Sequence, residues 1–297
     1  MKLKCTLINV TTLIILFVGI ILVSIAKPNR RGFWCSDESI KYPRQPDTVG
    51  GGQLAVIVLV IPLIVIISGE LIAHKLNLNT RKSWRRQLNV NGSNHIEQAA
   101  KVSTDHSVSS WSVNINSIII SWLFSLFLTA LLTGFIKTQV GRLRPVFYSQ
   151  CKSSVSCDDQ QNHGVYLTDY VCNIKPSEEI FIRTSFPSGH SSYSMSSMVF
   201  LIVYIGQRFL INRTNSLRYL IASVQMSFLI IALYVGLSRV SDNIHHWSDV
   251  LVGLILGAGV TLICTLFLGF SGDQWSIGEC DNKSIPKDEN QEQLETF

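Results

Sequence analysis

The sequence predicts an all-α fold: a polytopic integral membrane protein built as a six-transmembrane-helix bundle. Three observations predict it. Of the 297 residues, 47% are hydrophobic and only 15% are charged, against about 25% charged in a typical soluble domain. Mean hydropathy is +0.29. Apolar runs of roughly 20 residues, the length that crosses a bilayer, recur along the chain between polar connectors. The same composition argues against nucleic acid as a partner, because the net charge is only +5 and the basic residues are scattered.

The first expected span covers 5–26, with Lys2 and Lys4 before it and Lys27 after. Ser24-Ile25-Ala26 has the small-x-small pattern of a cleavage site, but the apolar core is longer than the 7–15 residues of a signal peptide, so a retained span is expected. A polar connector, 28–52, ends in Gly50-Gly51-Gly52. The second span, 54–73, is interrupted only late, by Glu70. Residues 74–116 read as a loop in which Lys75, Arg81, Lys82, Arg85, Arg86 and Lys101 face only Glu97 and Asp105. That excess of positive charge marks the cytosolic side.

The third span is 117–136, followed by the long polar connector 137–185. The fourth, 190–210, is rich in Ser and Met at its start and is expected to line a polar interior there. A basic turn with Arg208, Arg213 and Arg218 leads to the fifth span, 219–237. The sixth is 248–270, where Gly253, Gly257 and Gly259 allow a neighbouring helix to come close. Residues 1–270 therefore form one domain. The acidic segment 271–297, with Pro286 and no periodicity, is expected to be a disordered cytosolic tail.

Six spans with a basic second loop place both termini in the cytosol. The connectors at 28–52, 137–189 and 238–248 then share the outer or lumenal side. Cys35, Cys151, Cys157 and Cys172 are an even set on that oxidising side. They predict one or two disulfides, with Cys151 or Cys157 joined to Cys172.

The chemistry-bearing stretches lie on the same side. Lys137 and Arg144 are seven apart, two helical turns, and face the same way if the third helix runs on to Pro145. Alone, this is interfacial snorkelling by basic side chains. Ser185-Phe186-Pro187-Ser188-Gly189-His190 enters the fourth helix, where unpaired backbone N–H groups can hold an anion. Gly189 lets a phosphate approach the backbone, Ser188 adds a hydroxyl, and His190 stands beside them; alone, this is an ordinary N-cap. In Ser238-Arg239 to Asp249, Arg239 offers a permanently charged planar fork. Asp249 lies four residues after His245, on the same helical face, so it can take one ring N–H and leave the other nitrogen as a nucleophile. Alone, these are membrane-end anchors with a local ion pair.

Together the residues fit phosphoryl transfer. Lys137, Arg144 and Arg239 match the charge on phosphate oxygens. His245 is the nucleophile, Asp249 orients it, and His190 is the acid that protonates the leaving alcohol and then the base that activates water. His246, three residues from Asp249, is a rival nucleophile on spacing. With no cluster of metal-ligating residues on this side of the sequence, neither a metal nor another cofactor is expected.

These three stretches resemble the signatures of the type 2 phosphatidic acid phosphatases, and within them the lipid phosphate phosphatases: Lys137 to Arg144-Pro145, Pro187-Ser188-Gly189-His190, and Ser238-Arg239 to His245 to Asp249. Gly32-Phe33-Trp34-Cys35 with Ser39-Ile40-Lys41-Tyr42-Pro43 is similar to the first outer loop of the same group. Five residues separate Arg239 from His245, and the resemblance on that spacing implies His245 as the nucleophile. It also implies magnesium-independent dephosphorylation of phosphatidate, lysophosphatidate, sphingosine-1-phosphate and ceramide-1-phosphate as bilayer partners. The expected location is the plasma membrane, with the endoplasmic reticulum or Golgi as the alternative; the sequence leaves room for a homo-oligomer. Sequons at Asn9, Asn91, Asn212 and Asn282 fall outside the outer loops, unlike the family's frequently glycosylated loop. The alternatives in function are a sugar-phosphate phosphatase, a catalytically weak lipid-binding or scaffolding relative, and a transporter. Charges gathered at one membrane end weigh against the transporter.

Overall fold

A computed structural model describes residues 2–89, 96–210 and 215–267. The expected tail, 271–297, and the last residues of the sixth span lie outside the described residues. The chain is mostly helical. Helix α1 is Lys2–Ile25; α2, Gly51–Ala55, passes through a π-helical turn at Val56–Val60 into α3, Ile61–Asn89; α4 is Ile96–Val140. Short helices α5 (Phe147–Cys151) and α6 (Pro176–Ile182) follow, then α7 (Gly189–Ile205), α8 (Asn215–Ser241) and α9 (Trp247–Phe267).

Among the described residues, five helical segments are long and apolar enough to cross a membrane: Leu7–Ile25, Gly51–Lys75, Ile115–Val140, Leu217–Ser241 and Trp247–Phe267. The expected fourth span is shorter and more polar: α7 has 17 residues and opens on His and Ser. It continues as a π-helical turn, Gly206–Leu210, so the pair reaches about 33 Å at 1.5 Å per residue. One expectation is corrected here. The basic segment after His74 is not a loop: α3 runs on to Asn89 and α4 starts at Ile96.

Helix α7 is the axis of the bundle, packed against α4, α8 and α9. Its apolar side joins Val58, Ile66, Trp122, Met198, Phe200 and Phe228 in one core. Two glycines let α9 close on it. A Cβ on Gly257 would come within 2.2 Å of the Ser192 carbonyl oxygen, and one on Gly253 within 2.6 Å of that of Ser188. Gly259 faces open space, so only the first two serve the expected close approach.

The serines of α7 do not line a polar interior. They are fully buried; Ser191 and Ser194 bond within the α7 entry and helix, while Ser192, Ser196 and Ser197 bond to neighbouring helices. Ser192 meets Thr133 at 2.9 Å, Ser196 meets Thr261 at 2.8 Å, and Ser197 takes the Trp122 indole N–H at 3.2 Å. Between helices in lipid, such hydroxyl pairs satisfy groups that have no water to bond. Glu70 is likewise buried and paired, accepting from Tyr204 at 3.1 Å and from Arg208 at 3.0 Å, as an intramembrane charge requires.

A small cap covers one end of the bundle. Strand β1 (Phe33–Trp34) pairs antiparallel with β2 (Tyr166–Leu167). Phe33, Leu143, Phe147, Tyr170 and Ile182 form a second core beside them. Two disulfides staple it, Cys35–Cys157 and Cys151–Cys172. The second is one of the expected pairings, and the first uses the remaining two cysteines.

Candidate active site

The site forms where α4 ends, α7 begins, and α8 turns into α9. Helix α4 stops at Val140, not at Pro145, because Gly141 takes φ +56°. A Cβ there would lie 2.0 Å from the Asn29 carbonyl oxygen, so both conformation and space demand glycine. Lys137 and Arg144 still converge, by this turn rather than by helical periodicity. Lys137 Nζ donates to the Thr184 carbonyl at 2.7 Å, and Arg144 Nη2 donates to the same oxygen at 3.3 Å. Backbone bonds from Arg144 N to Ile182 O and from Ser185 N to Arg142 O, both 2.9 Å, lock the two stretches side by side.

The turn between α8 and α9 folds His245 back over Arg239. The Arg239 carbonyl accepts from Ile244 N at 3.0 Å and His245 N at 3.1 Å. Asn243 supplies the left-handed residue, φ +58°, a conformation its short polar side chain tolerates.

His245 is buried. Its Nε2 sits 3.2 Å from Arg144 Nη1. A guanidinium can only donate, so Nε2 carries the lone pair and Nδ1 the proton. Nδ1 faces the Ser185 hydroxyl at 3.4 Å, and Ser185 Oγ donates to Asp249 Oδ2 at 2.6 Å. Nδ1 itself is 3.7 Å from Asp249 Oδ2, beyond hydrogen-bond reach. Asp249 thus acts on His245 through Ser185. Burial first, and then the Arg144 charge, push the His245 imidazole well below the ordinary histidine range, against the pull of Asp249. The ring is neutral near pH 7.

Asp249 is wholly buried and fixed from several sides. Arg142 Nη1 donates to Oδ1 at 2.6 Å, and to Ser248 Oγ at 2.8 Å. As the third residue of α9, Asp249 reaches back to the His246 backbone N–H at 3.0 Å, a capping contact. The His246 ring also meets it, at 3.1 Å. His246 is therefore nearer the carboxylate than His245 is, but the cation Arg144 is bonded to His245.

At the α7 entry Ser188 is the N-cap. Its hydroxyl is turned toward its own helix, meeting Ser191 N at 3.4 Å and Ser191 Oγ at 2.9 Å. The backbone N–H groups of Gly189 and His190 make no hydrogen bond among the described residues. The buried Nε2 of His190 has no hydrogen-bond partner either, while the Val49 backbone contacts the ring and the charges of Arg239 and Arg144 reach it. A free ring nitrogen beside cations and unpaired N–H groups is suited to an anion whose proton must move.

Arg239 is buried and already engaged. Its Nη1 lies 3.1 Å from Asp47 Oδ1, and its Nη2 bonds Asp242 Oδ2. Reading the sequence missed Arg142, Ser185, Asp47 and Asp242. Arg142 and Ser185 lie inside or beside the signature stretches and could have been flagged there. Asp47 carries no local signal, because its partner is 192 residues away.

The sequence profile of the PAP2 superfamily matches residues 119–273. Phospholipid phosphatase 1 of Rattus norvegicus is 35% identical over 252 residues, covering 84% of this chain and 79% of the relative. Phospholipid phosphatase 2 of Mus musculus is 34% identical over 268 residues, covering 90% and 87%. The Homo sapiens phospholipid phosphatase 2 is 34% identical over 250 residues, covering 84% and 76%. No solved structure matches the chain.

Proposed function

The chain belongs to the PAP2 superfamily, and on that premise we propose that it is an integral membrane phosphatase that releases phosphate from lipid phosphates through a phosphohistidine. The observation that carries the reading is the His245 lone pair at Nε2, held 3.2 Å from Arg144 with Nδ1 backed by Ser185 and Asp249.

Lys137, Arg144 and Arg239 hold the phosphate oxygens, with the N–H groups of Gly189 and His190 at the α7 entry completing the cradle. The Ser188 cap fixes that entry. Nε2 of His245 attacks phosphorus, the bond from phosphorus to the lipid oxygen breaks, and the electron pair goes to that oxygen. Nε2 of His190, protonated once the bound phosphate dianion offsets the Arg239 and Arg144 charges around it, delivers the proton, so a neutral alcohol leaves. His190 then takes a proton from water, the hydroxide attacks phosphorus, and the phosphorus–nitrogen bond breaks to free inorganic phosphate. Cationic side chains balance the phosphoryl charge throughout, so the reaction runs without magnesium.

The substrates are phosphatidate, lysophosphatidate, sphingosine-1-phosphate and ceramide-1-phosphate. The site opens on the outer or lumenal face of the plasma membrane or an internal membrane, with both termini cytosolic. Two features support that face: the basic residues between 75 and 101 mark the opposite side, and the stapled cap borders the site. Phosphate release from a panel of these lipids and glucose-6-phosphate, in EDTA, tests the reading with His245→Ala as the blank. Turnover of the lipids is expected. Turnover of the sugar phosphate alone would replace the substrate class, and loss of all activity in EDTA would remove the metal-free mechanism.

A further inference from the structure

Arg239 carries two carboxylates, and they are held very differently. Asp242 is buried and receives three donors: Arg239 Nη2, Thr48 N at 2.9 Å and Thr48 Oγ1 at 2.6 Å. It is a fixed part of the site. Asp47 has 40% of its side chain exposed and, among the described residues, a single hydrogen bond, to Arg239 Nη1 at 3.1 Å. A guanidinium between two carboxylates belongs to a cluster of net charge −1 with both Nη nitrogens taken. A phosphate is repelled there and finds no free Nη until one carboxylate leaves, and Asp47, on Nη1, is the weaker held.

We propose that Asp47 is an internal competitor of phosphate, occupying Arg239 in the empty site and yielding it to the substrate. The proposal rests on the phosphatase reading above for its consequences, though not for its geometry. Asp47 is placed to act this way by a strap across the mouth of the site. Tyr42 N bonds the Pro145 carbonyl at 3.0 Å, the Pro43 carbonyl takes Asn243 Nδ2 at 3.0 Å, and Thr48 is tied to Asp242. Asp47 is thus delivered between tied residues, and its charge reaches Arg144 and His190 as well as Arg239.

The consequence is for release as much as for capture. Inorganic phosphate, the product, is the ligand with the most charge and the least else to hold it. A carboxylate that returns to Arg239 lowers its affinity and clears the site. Removing the Asp47 charge leaves Arg239 open, so phosphate binds more tightly and product leaves more slowly. The effect is about fivefold, as expected for loss of one partly exposed ion-pair competitor.

The test is equilibrium binding of radiolabelled inorganic phosphate to the full chain in detergent, comparing wild type with Asp47→Asn and Asp47→Ala. The expected result is a Kd about fivefold lower in both variants, with kcat reduced because phosphate leaves more slowly. A purely structural role for Asp47 could only weaken binding, so an equal or higher Kd in both variants overturns the proposal. If wild type binds phosphate but hydrolyses no lipid phosphate, the phosphatase reading fails while the Kd comparison still decides the role of Asp47. If no form binds phosphate, both fail.

Discussion

Asp249 reaches His245 across Ser185: the carboxylate oxygen lies 3.7 Å from the ring nitrogen but 2.6 Å from the serine hydroxyl, which is itself 3.4 Å from the ring. The hydroxyl has one proton, and giving it to the carboxylate leaves its lone pairs for His245 Nδ1–H. The tautomer of the nucleophile is set by this relay.

Ser185→Ala should therefore lower kcat by about 10- to 100-fold with KM little changed, and Ser185→Thr should restore most of it. Asp249→Asn should cost more, by analogy with a loss of about 10⁴ when an orienting aspartate is made amide. Steady-state kinetics on a soluble short-chain lipid phosphate separates the two constants. A Ser185→Ala enzyme with full kcat would place the orienting contact elsewhere.

The buried position of His245 and the nearby Arg144 charge hold its imidazole well below the usual histidine pKa. A lowered pKa keeps the ring neutral, and so nucleophilic, to lower pH. The acid limb of kcat/KM that belongs to His245 should thus fall well under pH 6.5, the ordinary value. Proton uptake by His245 on unfolding also means that its contribution to stability is present above pH 6.5 and declines as pH falls toward the folded pKa. A pH–rate profile whose only acid limb sits at or above 6.5, for a substrate of lower phosphate pKa, would contradict the neutral buried ring.

Gly257→Ala should displace α9 from α7, since its Cβ would meet the Ser192 carbonyl at 2.2 Å. Overpacking of this kind costs about 1–3 kcal/mol, and it would move Asp249 at the head of the same helix. Gly259→Ala, in open space, should leave both thermal unfolding and activity at wild-type level. Equal unfolding temperatures for the two variants would contradict the packing.

Under non-reducing digestion, Cys35 should appear linked to Cys157, and Cys151 to Cys172. The chain-entropy account gives about 3–5 kcal/mol for loops of these lengths, so reduction should lower the unfolding temperature sharply. Peptide mapping that finds Cys35 joined to Cys151, or all four as free thiols, would overturn the cap as described.

The spans were legible because lipid imposes a length and a composition on any segment that crosses it. The signature stretches were legible because phosphate chemistry uses cations, a helix entry and a histidine, and because their spacing resembles the family's signatures. Periodicity names the face a residue occupies but not its partner. Hence the α7 serines read as lining a polar interior, when Ser192, Ser196 and Ser197 hydrogen-bond Thr133, Thr261 and Trp122 instead. The same limit hid Asp47, whose pairing with Arg239 depends on how a distant loop folds. Lys137 and Arg144 do converge, but by the turn at Gly141, which a helical wheel cannot show.

The most direct test of the account is to quench the reaction with radiolabelled phosphatidate and locate the phosphate on the chain. The account predicts an acid-labile, base-stable phosphohistidine at His245, absent in His245→Ala and still formed in His246→Ala, where Arg144 and Ser185 keep their contacts with His245. Label on His246, or wild-type turnover by His245→Ala, would contradict it.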